Sequence, residues 1–231
     1  MNRSLNVIRM QLVNRQTYIW VPLMVLGGSL LITLAIYALI HNAGVTGAMY
    51  GGGAQAPLWY FGVVGVQALT LTFPFSQAMS VTRWEFYLGT LATAVLSAVI
   101  LAVIFVVGGY IELATGGWGM NGYFFQLPFV WEAGPWAAGL TYFTIAMLFF
   151  VVCFWGATIY KRWGTLTVTV VLTGVAALLV VIAFLLSITE SWPTVWEGAM
   201  RMGSLGLTLL GIALVAILAA SSYLTLRRAT P

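Results

Sequence analysis

The stretch TRWEFYLGTLATAVLSAVILAVIFVVGGYIEL, residues 82–113, decides the fold. Thr82 followed by Glu85 is a capping box: the Thr hydroxyl accepts from the amide of Glu85, and the Glu side chain reaches back. A helix therefore starts at about Arg83 and runs directly into apolar sequence. About 20 apolar residues cross the hydrocarbon core of a bilayer, and Phe86 to Leu113 is long enough. The same reading places spans at about 18–40, 58–78, 86–113, 137–160, 166–188 and 204–224. This is an all-α, polytopic membrane protein with six transmembrane helices in one transmembrane domain, residues 1–231. β-Barrel strands alternate in polarity over about 10 residues, and these runs do not. No internal repeat relates the first three spans to the last three.

Composition agrees. The chain is 61% hydrophobic and 6% charged, with a mean hydropathy of +1.01. A soluble domain carries roughly 25% charged residues, so lipid is the main solvent. Eight of the nine basic residues fall where six spans return to one side: Arg3, Arg9, Arg15, Arg83, Lys161, Arg162, Arg227 and Arg228. Only Arg201 departs. Positive charge near span ends stays in the cytoplasm, so both termini are expected there. Glu112, Glu132, Glu190 and Glu197 fall on the other side, and Glu85 alone lies inside. The net charge of +4 follows from this bias and gives no support for nucleic-acid binding.

Residues 2–16, NRSLNVIRMQLVNRQ, place Leu5, Ile8 and Leu12 on one helical face, with Arg9 close to it. This predicts an interfacial amphipathic helix whose arginines face lipid headgroups. The glycine-rich HNAGVTGAMYGGGAQAP, residues 41–57, predicts a mobile outer loop. The aromatic segment ATGGWGMNGYFFQLPFVWE, residues 114–132, is placed at the outer headgroup level. Residues 189–203 predict an outer hairpin or re-entrant element. Pro74 should kink or end the second helix.

Mid-membrane polar groups are neutral: Gln67, Thr70, Thr72, Thr141, Thr144, Thr167, Thr169 and Thr173. Ion-coupled carriers place an ionisable group there, and none stands here. Threonines in helices mostly bond back to their own backbone. Gln67 needs a partner, either at a helix contact or in a cavity wall. With one histidine (His41), one cysteine (Cys153) and no aspartate, the chain offers no catalytic constellation or metal-ligand spacing. No glycine-rich phosphate loop precedes a lysine. Transport by this chain is therefore passive, or is driven by a partner docking from the cytoplasm.

The segment FPFSQAMSVTRWEFYLGT, residues 73–90, points to such a partner. It forms a short amphipathic element projecting Met79, Val81 and Trp84 beside Arg83 and Glu85. It resembles the connection between spans two and three in small bacterial permeases of the ABC type 2 exporter family. The matching residues are Phe73, Pro74, Phe75, Ser80, Val81, Thr82, Arg83, Phe86, Leu88, Gly89 and Thr90. Trp84 stands where a second arginine is common, and Ser80 where glycine is.

That resemblance implies a permease subunit in the bacterial cytoplasmic (inner) membrane, paired with a second permease chain, identical or paralogous. A separate cytoplasmic ABC ATPase would bind ATP and Mg, so this chain would not be an enzyme. Residues Met79, Ser80, Val81, Thr82, Arg83, Trp84, Glu85 and Phe86 would form the coupling helix. Gln67, Thr70, Phe73, Thr169 and Thr173 would line the substrate path. Glu190, Trp192, Pro193 and Trp196 would belong to an outer gate. Gly174, Ala176 and Ala177 would permit close helix approach. Neutral walls predict an amphipathic or hydrophobic cargo: an antibiotic, drug, peptide or lipid-like molecule. The alternatives are a passive channel or a non-transporting membrane anchor, with an intramembrane enzyme a distant third.

Overall fold

The computed structural model describes Val7, Ile8, Gln11 and residues 16–227. Most of the predicted interfacial helix, including Arg3, Leu5, Arg9, Leu12 and Arg15, lies outside the described residues, as does Arg228. Val7 and Gln11 are buried, and the Gln11 amide donates to Thr90 Oγ1 at 2.7 Å.

The described residues are mostly helical, joined by turns and loops, with one pair of two-residue strands. Among the described residues, five helices are long and apolar enough to cross a membrane: Gln16–Asn42, Gly52–Ala78, Arg83–Ala114, Pro135–Ile188 and Trp192–Leu226. The first comprises a π turn (Gln16–Trp20) and α1 (Val21–Asn42). The second runs through a 3-10 turn (Gly52–Ala54), α2 (Gln55–Gln67), a π turn (Ala68–Thr72) and α3 (Phe73–Ala78). Pro74 explains the π turn. Proline lacks an N–H and its ring collides with the carbonyl four residues back, and the wider i→i+5 turn makes room. α4 (Arg83–Ala114) is uninterrupted. A short α5 (Pro128–Trp131) precedes α6 (Pro135–Ile188) and α7 (Trp192–Leu226).

At a rise of about 1.5 Å per residue, a straight α6 would measure about 80 Å, against a hydrocarbon core of about 30 Å. It is not straight. Gly164 adopts φ 82°, ψ −178°, a region open essentially to glycine alone. The break falls between the predicted fourth and fifth spans, two residues after Arg162. Gly203 (φ 63°, ψ −177°) breaks α7 in the same way and separates residues 192–202 from the rest.

The core forms where α2, α4 and residues 204–226 of α7 pack against the first half of α6. A Cβ on Gly65 would lie 2.5 Å from the Phe150 carbonyl oxygen, so α2 and α6 meet backbone to backbone. Such close approach is the usual basis of helix association in lipid. Rings fill the rest: Phe73 against Phe86 at 5.1 Å, Phe105 against Tyr142 at 4.6 Å, and Phe124 against Phe125 at 4.7 Å. The hydroxyls of Thr33, Thr70, Thr72, Thr93, Thr144, Thr167, Thr169 and Thr208 donate to carbonyls four residues back, as expected of helical threonines. Of these, Thr208 also joins two helices, its hydroxyl lying 2.8 Å from that of Thr141 across α6 and α7.

Helix direction sorts the charges. Arg83, Lys161, Arg162 and Arg227 lie at one end of the bundle with Glu85. Glu112, Glu132, Glu190, Glu197 and Arg201 lie at the other. At that acidic end the two longest connections are tied together. β1 (Met49–Tyr50) pairs in parallel with β2 (Gly122–Tyr123). Tyr37 donates to the Tyr123 carbonyl at 3.0 Å, and Asn121 Nδ2 donates to the Thr46 carbonyl at 3.3 Å. The glycine-rich loop expected to be mobile is thus held by a strand and by the Asn121 side chain. The aromatic segment also differs from expectation. Phe124 and Phe125 are buried in the core rather than set at headgroup level.

Candidate functional site

At the basic end, α3 closes in a Schellman turn. The Val81 amide donates to the Ser76 carbonyl at 3.1 Å and the Ser80 amide to the Gln77 carbonyl at 3.0 Å. These are the 6→1 and 5→2 bonds of that motif, which sets its C′ residue in the left-handed region. Ser80 occupies C′ with φ 57°. Glycine is favoured there because it has no Cβ to collide with the carbonyl. Gln77 Nε2 braces the turn through the Val81 carbonyl at 3.1 Å.

The capping box then starts α4. Thr82 Oγ1 accepts from the Glu85 amide at 3.3 Å, and the Glu85 carboxylate accepts from the Thr82 amide at 3.0 Å. Met79, Ser80, Val81, Thr82, Arg83, Trp84, Glu85 and Phe86 thus form one continuous structure. Met79 is 60% exposed and Trp84 is 49% exposed, while Phe86 is wholly buried. Trp84 leans edge-on against Tyr223 at 4.7 Å. Arg83 reaches toward the end of α7. Its guanidinium donates to the carbonyls of Arg227 at 2.7 Å and Leu226 at 3.4 Å. It therefore caps the C-terminus of α7, where the helix dipole favours a cation.

The five residues expected to line a substrate path are not gathered around one cavity. Gln67 is half-buried at the end of α2, and Thr70 lies in the π turn beside it. Phe73 is fully buried against Phe86. Thr169 and Thr173 are exposed on the second half of α6. Gly174 there has nothing within 4 Å of a would-be Cβ. A concavity of about 550 Å³ lies instead between α4 and α6. Val103, Val107, Tyr110, Trp136 and Phe143 line it.

Glu190 (φ 50°), Trp192, Pro193 and Trp196 do fall together. They form the turn and first helical stretch of α7, before its break at Gly203. Pro193 sits in the first turn, where its missing N–H costs nothing. The stretch is exposed, and its Glu197–Arg201 pair at 3.4 Å is a surface contact of small energy.

Glu112 was the feature sequence reasoning passed over. Its carboxylate is wholly buried at the end of α4. Oε1 accepts from Trp118 Nε1 and the Phe124 amide, and Oε2 accepts from the amides of Phe125 and Gln126, all at 2.8 Å. The Phe125 carbonyl in turn accepts from Tyr142 at 2.5 Å and Trp131 Nε1 at 3.1 Å. One side chain thereby fixes the cap between α4 and α6. The available signal was an acid at the far end of a long apolar run, followed 12–14 residues later by the turn that needs it. No protein-family model, curated protein or solved structure matches this chain.

Proposed function

We propose that the chain is the membrane-spanning permease subunit of an ATP-driven ABC type 2 exporter in a bacterial inner membrane. It crosses six times, α6 contributing two crossings on either side of Gly164, with both termini in the cytoplasm. A second permease chain pairs with it, and a separate cytoplasmic ATPase binds ATP and Mg.

The observation that carries this reading is the continuity of α4. The helix begins in a doubly capped turn that presents Met79 and Trp84. It ends about 48 Å away, at 1.5 Å per residue, in the carboxylate that organises the acidic-end cap. A push on the exposed turn has no hinge to absorb it before Glu112. The helix is suited to carry motion from an ATPase to an outer exit. By linkage, cargo binding in the membrane would alter ATP turnover. The apolar wall between α4 and α6 supports an amphipathic or hydrophobic cargo.

The test is purification of the tagged chain from its native membrane in mild detergent, beside a Met79→Glu variant. Met79 has no role in the core, so the variant should insert normally. A stoichiometric ATPase is expected with the parent chain and absent from the variant. A clean parent preparation without an ATPase would leave the passive channel or membrane anchor, and conductance measurements would follow.

A further inference from the structure

We infer that the basic end carries a binding site for the phosphate of an anionic phospholipid, between the break in α6 and the C-terminus of α7. A cavity of about 340 Å³ lies there, lined by Arg162, Leu224, Thr225 and Arg227. Its two arginines come from parts of the chain 65 residues apart, and folding alone brings them to one opening. Arg83 lies beside them, since it donates to the Arg227 carbonyl at 2.7 Å. Among the described residues, none of Arg83, Arg162 and Arg227 forms an ion pair, the Arg201–Glu197 pair being at the opposite end.

Three features make this a site rather than a diffuse positive surface. The Arg162 guanidinium lies 4.0 Å over the Trp163 ring, which holds it by a cation–π contact. The α7 wall is fixed by Trp155 Nε1, which donates to Thr225 Oγ1 at 3.0 Å. Arg83 fixes the backbone of Arg227 itself. Guanidinium groups bind phosphate oxygens in a planar fork, and held side chains lose less freedom on binding.

The apolar surroundings select a lipid over a free anion. Leu224, within the cavity wall, is 60% exposed, and Leu166, just past the break, is 78% exposed. Trp163, under the Arg162 guanidinium, belongs to the residue type that sits at headgroup level. A diacyl lipid can place its phosphate on the arginines and its tails along Leu166 and Leu224. Inorganic phosphate can use only the charges. Basic pockets between helices at the membrane surface are a recognised setting for acidic headgroups. This inference is independent of the transport reading.

Native mass spectrometry of the purified chain tests it, with dioleoyl-phosphatidylglycerol, dioleoyl-phosphatidylcholine and inorganic phosphate as separate probes. Phosphatidylglycerol should bind markedly tighter than phosphatidylcholine. Each arginine contributes about fivefold, so Arg162→Gln with Arg227→Gln should weaken phosphatidylglycerol about 30-fold. Arg162→Lys keeps the charge but loses the fork, so it should weaken phosphatidylglycerol binding by less than the double variant does, and Arg201→Gln should change nothing. Equal binding of the two lipids overturns the site, as does an undiminished preference in the double variant. Displacement of phosphatidylglycerol by inorganic phosphate at similar concentration shows a free-anion site and overturns the lipid assignment. Should the double variant not fold, the parent's preference and the Arg162→Lys result decide.

Discussion

The two halves of α6 are alike in composition and opposite in circumstance. Before Gly164, Ala137, Ala138, Tyr142, Ala146, Phe150 and Phe154 are buried against α2, α4 and α7. Beyond it, residues 165–188 have no buried side chain and only four half-buried ones. Phe150 is 2% exposed and Phe184 is 63% exposed. In water such a difference would leave one half unfolded. In lipid the bare half keeps its helix, because its backbone bonds are internal and its side chains are solvated by acyl chains. Hydropathy measures only transfer out of water. Packing between helices depends on where small residues and rings let backbones approach.

The strongest test sets Phe150→Ala against Phe184→Ala on the same helix. The first should lower unfolding free energy by about 3–5 kcal/mol, as expected for truncating a buried ring. The second should stay within about 0.5 kcal/mol. Unfolding in mixed micelles with increasing SDS reads both. Equal losses would mean that residues 165–188 are packed against something in the native protein.

Next in size is Glu112→Gln, which sharpens the account of what anchors the buried half. Four donors converge on the carboxylate. The amide keeps the shape but turns an NH₂ toward N–H groups, leaving buried donors unpaired. A loss of about 1–3 kcal/mol is expected. Limited proteolysis should open residues 115–127 before any helix is cut. Unchanged protection of that segment would show that the cap stands without Glu112.

Gly164→Ala attacks the boundary between the halves. A Cβ at φ 82° is strained by about 1–3 kcal/mol, and a straighter helix relieves it. In a Cys153→Ser background, spin labels at the exposed positions 152 and 180 should move apart. An unchanged separation would place the bend under control of the neighbouring helices rather than Gly164.

Ser80→Gly should have the smallest effect, a gain of about 1 kcal/mol from relieving a left-handed serine. It should tighten the turn at the start of α4 without altering either half of α6. A loss of stability would mean that the Ser80 side chain contributes something its bare hydroxyl does not explain here.

Much of the molecule was legible in advance because its signals are local. The capping box at Thr82 and Glu85, the proline distortion at Pro74, the threonine back-bonds and the break beyond Arg162 all follow from residues within a few positions of each other. The exit from α1 was not legible. Its glycines read as mobile because the partner strand, Gly122–Tyr123, lies more than 70 residues away. The bonds of Arg83 to α7 were not legible either, because the carbonyls it caps are 143 and 144 residues away. The substrate-path residues remain scattered in this chain, since a period of polar residues along one helix does not say which neighbour faces them.

Sequence alone determined that this is an all-α membrane protein, where its long helices lie, and which of their ends share a charge sign. Length, hydropathy and end charge are properties of each segment by itself, so they survive without knowledge of the rest. Only the tertiary structure decided that Glu112 is the knot of the acidic-end cap, that Arg162 and Arg227 open onto one cavity, and that one half of α6 is buried while the other is bare of contact with the rest of the chain. Those outcomes depend on which helices touch. In a bilayer, apolar surface has no preference for protein over lipid, so hydrophobicity cannot choose the neighbours and shape and hydrogen bonding do.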